Sequence, residues 1–369
     1  MKIIVLKENL KNGLSSVERS INDQSTLPIL KNVLIKTENN KTFILGTNLE
    51  LAVTHSMAGK IFENGSVSVP FKIFTGLINN LPTERINLEK NNHNLIIKTD
   101  NYEAVIQGMN SDDFPIIPRI NLPQYSFKIK SDIFKDALSK VSSAAQFSDL
   151  RPEISGILMD YQIENLKLAA TDSFRLAEKI IPDNQFSSNL NQGIKLIIPL
   201  KTTNEILKTV KDGVDLEIFF DNNQILFKTD DLEIISRLIE GDYPDYKQII
   251  PKDFATELII NKNEFLNALK LANVFSGKNN DVKLKVLENK KTLEVYSSNA
   301  GLGENKYLVP VKSNGAPISI SFNLKYLMDG LKPYDSEQII LGLNNSSKPS
   351  IIKSEKNPFF FYILMPIKN

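Results

Sequence analysis

A chain of 369 residues, 41% hydrophobic and 24% charged, has an ordinary globular composition and the length for roughly two or three domains. The absence of cysteine excludes disulfides, thiolate catalysis and cysteine-bound metal, while 44 basic against 43 acidic side chains leave a net charge of +1 that announces no polyanion partner. No run of about 18 apolar residues is present, and MKIIVLKENLKNG has too short an apolar core for a secretory leader, which predicts a cytoplasmic protein.

In chain order, KIIVL at 2–6 alternates as a strand and enters a helical pattern over 7–20. KTFILGTNLELAVTHSMAG at 41–59 reads as strands about an Asn turn, and SVSVP at 66–70 leads to a helix over 72–81, with Pro70 suited to its first turn. SDDFPIIP at 111–118 is an exit segment. The same order then returns. YSFKIK at 125–130 enters a helix over 131–146, LKLAATDSFRLAEKII at 166–181 repeats the strand pair, and IKLIIP enters a helix over 200–213 with Pro199 in Pro70's place; GDYPDYKQIIP at 241–251 is the second exit. A third round runs through TELIIN into a helix over 262–278, LEVYSSNAGLGENKYLV at 293–309, and ISISFN into a helix over 323–332 with Asn323 as N-cap. It ends in FFFYILMPIKN.

Leu14, Leu138 and Leu269 hold the same slot, 124 and 131 residues apart, and divide the chain into three repeats at 1–119, 120–250 and 251–369. Each is expected to be α+β, an antiparallel sheet with two helices on one side. Exposed sheet edges invite continuation from one repeat to the next, and a head-to-tail dimer would close the two free ends.

A search for catalytic groups returns little. His55 and His93 stand alone without metal-ligand spacing and read as surface or capping histidines. Asp112 and Asp113 precede Phe-Pro in an exit segment and suit turn chemistry. GLGENK at 301–306 lacks the glycines and context of a phosphate loop, and no nucleophile elbow or Walker lysine occurs. The expectation is no catalytic residue, no metal and no cofactor. The six helical stretches carry a net +6 within a chain of +1, so a surface made of them would suit phosphate contact; lysine's ordinary presence on solvated helix faces reads the count equally well.

LPILKNVLI at 27–35, LGTNLELAV at 45–53, ATDSFRL at 170–176, DYPDYKQIIP at 242–251 and YILMPI at 362–367 come in a recognisable order and spacing. Over essentially its full length the chain resembles the bacterial DNA polymerase III beta subunit family, the replication sliding clamps. The resemblance implies three DNA-clamp domains per protomer and a head-to-tail homodimeric ring whose helices line a hole around duplex DNA, in the cytoplasm at the nucleoid. The implied role is a non-catalytic processivity factor. Its implied partners are double-stranded DNA without sequence preference, the DNA polymerase III alpha subunit, the clamp loader ATPase, other proteins with clamp-binding motifs, among them exonuclease and repair factors, and a second copy of itself.

For the family's peptide-binding cleft, the resemblance carries over Thr171, Ser173, Phe174, Arg175 and Leu176 from the second strand pair, Pro244, Gln248 and Ile249 from the exit, and Ile363, Leu364, Met365, Pro366 and Ile367 from the tail. Ile154, Asn323, Tyr326 and Pro349 complete the set. Phe174 stands where the family often has His or another polar residue, and Gln248 where it has a basic one. The implied DNA contacts are Gln24, Lys72, Arg151, Lys201 and Lys278, and the implied protomer junction sets Ala104 and Ile106 against Val274 and Phe275. Two other readings are a specialised clamp paralogue for repair or inhibitor resistance, and a hydrolytic enzyme using Asp112 or Asp172 as acid or base.

Overall fold

Each repeat's first helix grows directly from the end of a strand, and the leucine that marks the repeat seats it. The computed structural model describes residues 1–118, 120, 126–277, 280–289 and 291–367. Helices Lys7–Val17, Ser131–Ser142 and Lys262–Phe275 follow strands Lys2–Leu6, Ser126–Lys130 and Thr256–Asn261, and Leu14, Leu138 and Leu269 are all essentially inaccessible. The second helices are Phe71–Asn80, Leu200–Thr209 and Leu324–Leu331. Pro70 lies just outside its helix at the N-cap and Pro199 closes its strand, one residue earlier than expected, because each still pairs in a sheet, with Asn32 and Gly156.

By packing, the chain gathers into two compact units. The first comprises Met1–Asp132, Phe186–Leu190 and Asn204–Leu238. Its five-stranded antiparallel sheet has the order Gly59–Glu63, Lys2–Leu6, Arg85–Asn91, Asn94–Lys98, Glu103–Ile106. Its nine-stranded sheet has the order Phe186–Ser188, Ser126–Lys130, Asp215–Phe220, Gln224–Lys228, Leu232–Arg237, Leu51–Met57, Lys41–Thr47, Asn32–Glu38, Gly65–Pro70. Helix Lys7–Val17 lies on strands Lys41–Thr47 and Leu51–Met57, and Gly13 permits that approach: a Cβ there would come 2.7 Å from Ile44 Cδ1 and 3.3 Å from His55 Cδ2. His55 is accordingly buried, against the surface reading, because it shares a strand face with the buried Leu51, Val53 and Met57.

The second unit comprises Ile133–Gln185, Asn191–Thr203 and Ile239–Asn369. Its twelve-stranded antiparallel sheet has the order Ile194–Pro199, Gly156–Gln162, Asn165–Thr171, Arg175–Pro182, Asn357–Leu364, Ser350–Ser354, Gln338–Leu343, Thr256–Asn261, Gly303–Gly315, Thr292–Asn299, Asp281–Val286, Ser319–Asn323.

Both large sheets contain a seam where a strand of one repeat pairs with a strand of the next. In the first unit Leu232–Ser236 runs antiparallel to Leu51–His55, with Ile235 opposite Ala52. In the second, Phe360–Leu364 runs antiparallel to Arg175–Lys179, with Ile363 opposite Leu176. Edge continuation thus satisfies the backbone groups that each sheet alone would leave open.

Candidate peptide-binding groove

The groove of the second unit starts from a four-residue hairpin loop. Asp172 Oδ1 accepts the N–H groups of Phe174 and Arg175, each at 3.0 Å, and Thr171 Oγ1 accepts Ser173 N–H at 3.1 Å while donating to Arg175 O at 2.6 Å. This geometry holds Ser173 at φ +77° and leaves Phe174 61% exposed. Arg175 turns inward. Its Nε donates to Asp172 Oδ2 at 2.8 Å and another guanidinium nitrogen to Asp329 Oδ2 at 2.9 Å, with the guanidinium 4.2 Å from the centre of the Tyr326 ring. Burial opposes the charge, but Tyr362 and Asp172 outweigh it and raise the pKa of Arg175 further.

Helix Leu324–Leu331, which supplies Tyr326 and Asp329, is capped by Asn323 Oδ1 accepting Tyr326 N–H at 3.2 Å. Gly330 allows it to close on the last strand, since a Cβ there would lie 2.4 Å from Tyr362 Cδ1. Beyond that strand the tail stays attached: Met365 N–H donates to Phe174 O and Ile367 N–H to Ser321 O, both at 2.8 Å.

The exit segment forms the facing wall. Tyr246 is buried and donates to buried Glu178 Oε2 at 2.6 Å; burial first, and then Glu178, push its pKa up. Asp245 caps the 3-10 turn Tyr246–Ile249 and accepts Gln248 Nε2 at 2.9 Å. Beneath lies a core of Leu158, Ala169, Leu176, Ile197, Tyr246, Ile351 and Ile363. The resulting cavity of about 620 Å³ is lined by residues 248–255 with Asn344, Lys348, Pro349 and Met365. Its size and lining, apolar walls with a few polar groups, fit a short extended peptide.

Of the residues expected there, Gln248, Ile249, Pro349 and Met365 line the cavity, and Thr171, Ser173, Phe174, Arg175, Pro244, Asn323 and Tyr326 build the adjoining hairpin, helix start and exit. Leu176 and Ile363 belong to the core beneath the groove, Ile154, Leu364 and Pro366 are buried, and Ile367 is half-buried. Missing from the sequence-based set were Ile250, Pro251, Phe254, Asn344 and Lys348. Ile250 and Pro251 belonged to the repeated exit phrase, and Asn344 ties the wall by accepting Ala255 N–H at 3.1 Å and donating to Asp253 O and Pro349 O at 3.2 Å.

The expected DNA residues fall differently. In the first unit Lys72 Nζ pairs with Asp23 at 3.1 Å, beside the exposed Gln24, so these two share one surface. Lys201 is exposed on its helix. Arg151 donates to Ser173 Oγ at 2.9 Å and Glu153 Oε1 at 3.1 Å, which places it at the rim of the groove rather than on a helix surface. Lys278 lies outside the described residues. At the expected junction, Ala104 stands on the edge strand but Ile106 is buried in its own unit, and Val105, 57% exposed, is the outward side chain. Val274 is exposed, and the half-buried Phe275 ring lies beside Gly303.

Asp112 and Asp113 sit in an exposed turn and His93 is exposed; both oxygens of Asp172 are engaged as above. Among the described residues, no three His, Asp or Glu side chains are grouped to hold a metal.

Fold and groove together define an α+β repeat protein that joins its repeats edge to edge and presents a peptide-sized groove on a charge-locked hairpin. Models of the three DNA polymerase III beta subunit domains match it end to end, the N-terminal domain over residues 1–118, the central domain over 128–245 and the C-terminal domain over 247–368, so the chain belongs to the DNA polymerase III beta subunit family. The beta sliding clamps of Staphylococcus epidermidis and Staphylococcus aureus are each 28% identical to it, over 379 and 381 residues that take in 100% of this chain and 99% of theirs. Among solved structures, the DNA polymerase sliding clamp of Bacillus subtilis matches with a TM-score of 0.94 at 24% identity, covering 100% of this chain and 99% of that one. A putative DNA polymerase III beta subunit of Eubacterium rectale matches with 0.93 at 25%, covering 100% of both.

Proposed function

We infer that the protein is a DNA polymerase processivity factor: two copies join head to tail into a ring that encloses duplex DNA, and the groove of the second unit holds peptide motifs of the polymerase alpha subunit, the clamp loader and other partners. The ring works by topology, so no bond is made or broken and no base sequence is read. Gln24, Lys72 and Lys201 are its proposed phosphate neighbours, and the three repeats at 1–119, 120–250 and 251–369 its proposed domains.

The observation that carries this reading is the seam, used twice within the chain. Hairpin pairs Thr47–Ala52 and Thr171–Leu176 are equivalent, Ser298–Glu304 matches them across a loop one residue longer, and the seam-side pairs Lys228–Glu233 and Lys98–Glu103 correspond. Two of the three possible seams are made. What remains is the outer edge of Glu103–Ile106 and that of Gly303–Val309, whose strand pairs on its other side with Thr292–Asn299 and gains a second neighbour only from Val311 onward. Transferring the register of the first seam, in which Glu233 faces Thr54, sets Glu103 of one copy opposite Lys306 of another, with Phe275 flanking the joint at Gly303. Self-association in solution and retention on circular DNA that is lost on linearisation are the expected results. Equal retention on both forms, or a stable monomer at micromolar concentration, would refute the ring. Deleting residues 365–369 should abolish peptide and polymerase binding at the second unit's groove and leave the dimer intact.

A further inference from the structure

The first unit contains a second groove of about 250 Å³, built on the same backbone frame as the first. Its hairpin loop is a hydrogen-bond copy of the other. Asn48 Oδ1 accepts the N–H groups of Glu50 and Leu51 at 3.0 and 2.8 Å, Thr47 Oγ1 accepts Leu49 N–H at 3.1 Å and donates to Leu51 O at 3.0 Å, and Leu49 has φ +76° against +77° at Ser173. The tail contact recurs as well: Arg237 N–H donates to Glu50 O at 3.0 Å, as Met365 N–H does to Phe174 O. The exit wall is the first copy of Ile-Ile-Pro, with Ile116 and Pro118 in the places of Ile249 and Pro251.

Four features therefore coincide at one place, none of them a lone apolar patch: a loop fixed by four side-chain-to-backbone bonds, a tail bond, an exit segment and a cavity. The side chains differ where the frame does not. Leu49 is 51% and Ile116 94% exposed, offering an aliphatic clamp, while Arg237 replaces Met365 and Ser236 replaces Leu364. An aliphatic clamp beside an exposed guanidinium is complementary to a leucine next to a carboxylate. We propose that the first unit's groove binds a short extended peptide of a partner protein in which one aliphatic side chain packs against Leu49 and Ile116 and an adjacent carboxylate pairs with Arg237. This rests on the peptide reading of the second unit's groove, with which the first shares its frame.

The test uses the full-length protein and the probe acetyl-Ser-Leu-Asp-Leu-Phe in calorimetric titration. Two sites per chain are expected, the second weaker by about tenfold in Kd, which is about 1.4 kcal/mol. Deleting residues 365–369 should remove the tight site alone; Ile116→Asp and Arg237→Glu, both at exposed positions, should remove the weak site alone, without shifting thermal unfolding. Replacing the probe's Asp by Lys should weaken that site in the wild type and restore it in Arg237→Glu. A single site per chain, removed by the tail deletion and unmoved by Arg237→Glu, overturns the inference while leaving the peptide reading standing. No binding at either site overturns both.

Discussion

The two grooves share a hairpin geometry to within a few tenths of an ångström in their hydrogen bonds, yet the side chains that lock them belong to different chemistry. In the second unit the capping residue is Asp172, whose spare oxygen holds Arg175, and Arg175 in turn reaches Asp329. In the first, Asn48 caps the same loop and buried Leu51 stands in Arg175's place. The wall beside the lock differs likewise: buried Glu178 accepts the hydroxyl of Tyr246, whereas Thr54 occupies the place of Glu178 in the first unit. One backbone frame thus tolerates either an apolar or a charged lock. A buried ionic network adds little net stability over an apolar one, but it holds a single geometry because any partial arrangement leaves a charge unpaired.

This contrast can be broken at graded strengths. Asp172→Ala removes the cap and one of the two carboxylates that hold Arg175, leaving Asp329 alone, so a loss of about 3 kcal/mol is expected in urea unfolding. A cost no larger than that of Asn48→Ala would show that the ionic lock contributes nothing. Tyr246→Phe leaves Glu178 buried without its donor and should cost about 2 kcal/mol, with weaker peptide binding because the exit wall loosens. Asn48→Ala, which loses only a neutral cap, should cost about 1 kcal/mol and leave binding in the second unit's groove unchanged.

The smallest effect is a pH dependence confined to the first unit. Burial lowers the pKa of His55 from its ordinary 6.5, with Asp231 opposing, so the folded form prefers the neutral ring. The unfolded chain then binds the extra proton first. Stability of the first unit should fall as pH drops below the ordinary histidine range, and level off once His55 itself is protonated. His55→Gln should flatten that part of the profile in thermal melts from pH 8 to 5; an unchanged slope would assign it to other groups.

The fold was legible because its signals are periodic. Leu14, Leu138 and Leu269 fixed the repeat, and alternation marked the strands. His55 was misplaced because residue type was weighed over phase, although its strand alternates Leu51, Val53, His55, Met57. Ile106 shows the limit of phase: in Glu103–Ile106 two apolar residues are adjacent, and only its pairing with Leu95 sets Ile106 inward and Val105 outward within the chain. The groove was legible in part through the tail and exit phrases, but Asn344, Phe254 and Arg151 act through contacts set by loop paths. The Arg151 bond to Ser173 spans 22 residues and has no periodic trace.

The central third of the chain lends strands to both large sheets, Leu232–Arg237 to one and Arg175–Pro182 to the other. Cut out by itself, that segment would carry two raw β-borders, each a row of unsatisfied peptide groups ready to recruit any strand it met. Excised central segments are therefore expected to clump or form fibres, and the protein is best dissected by point substitution with its full length retained.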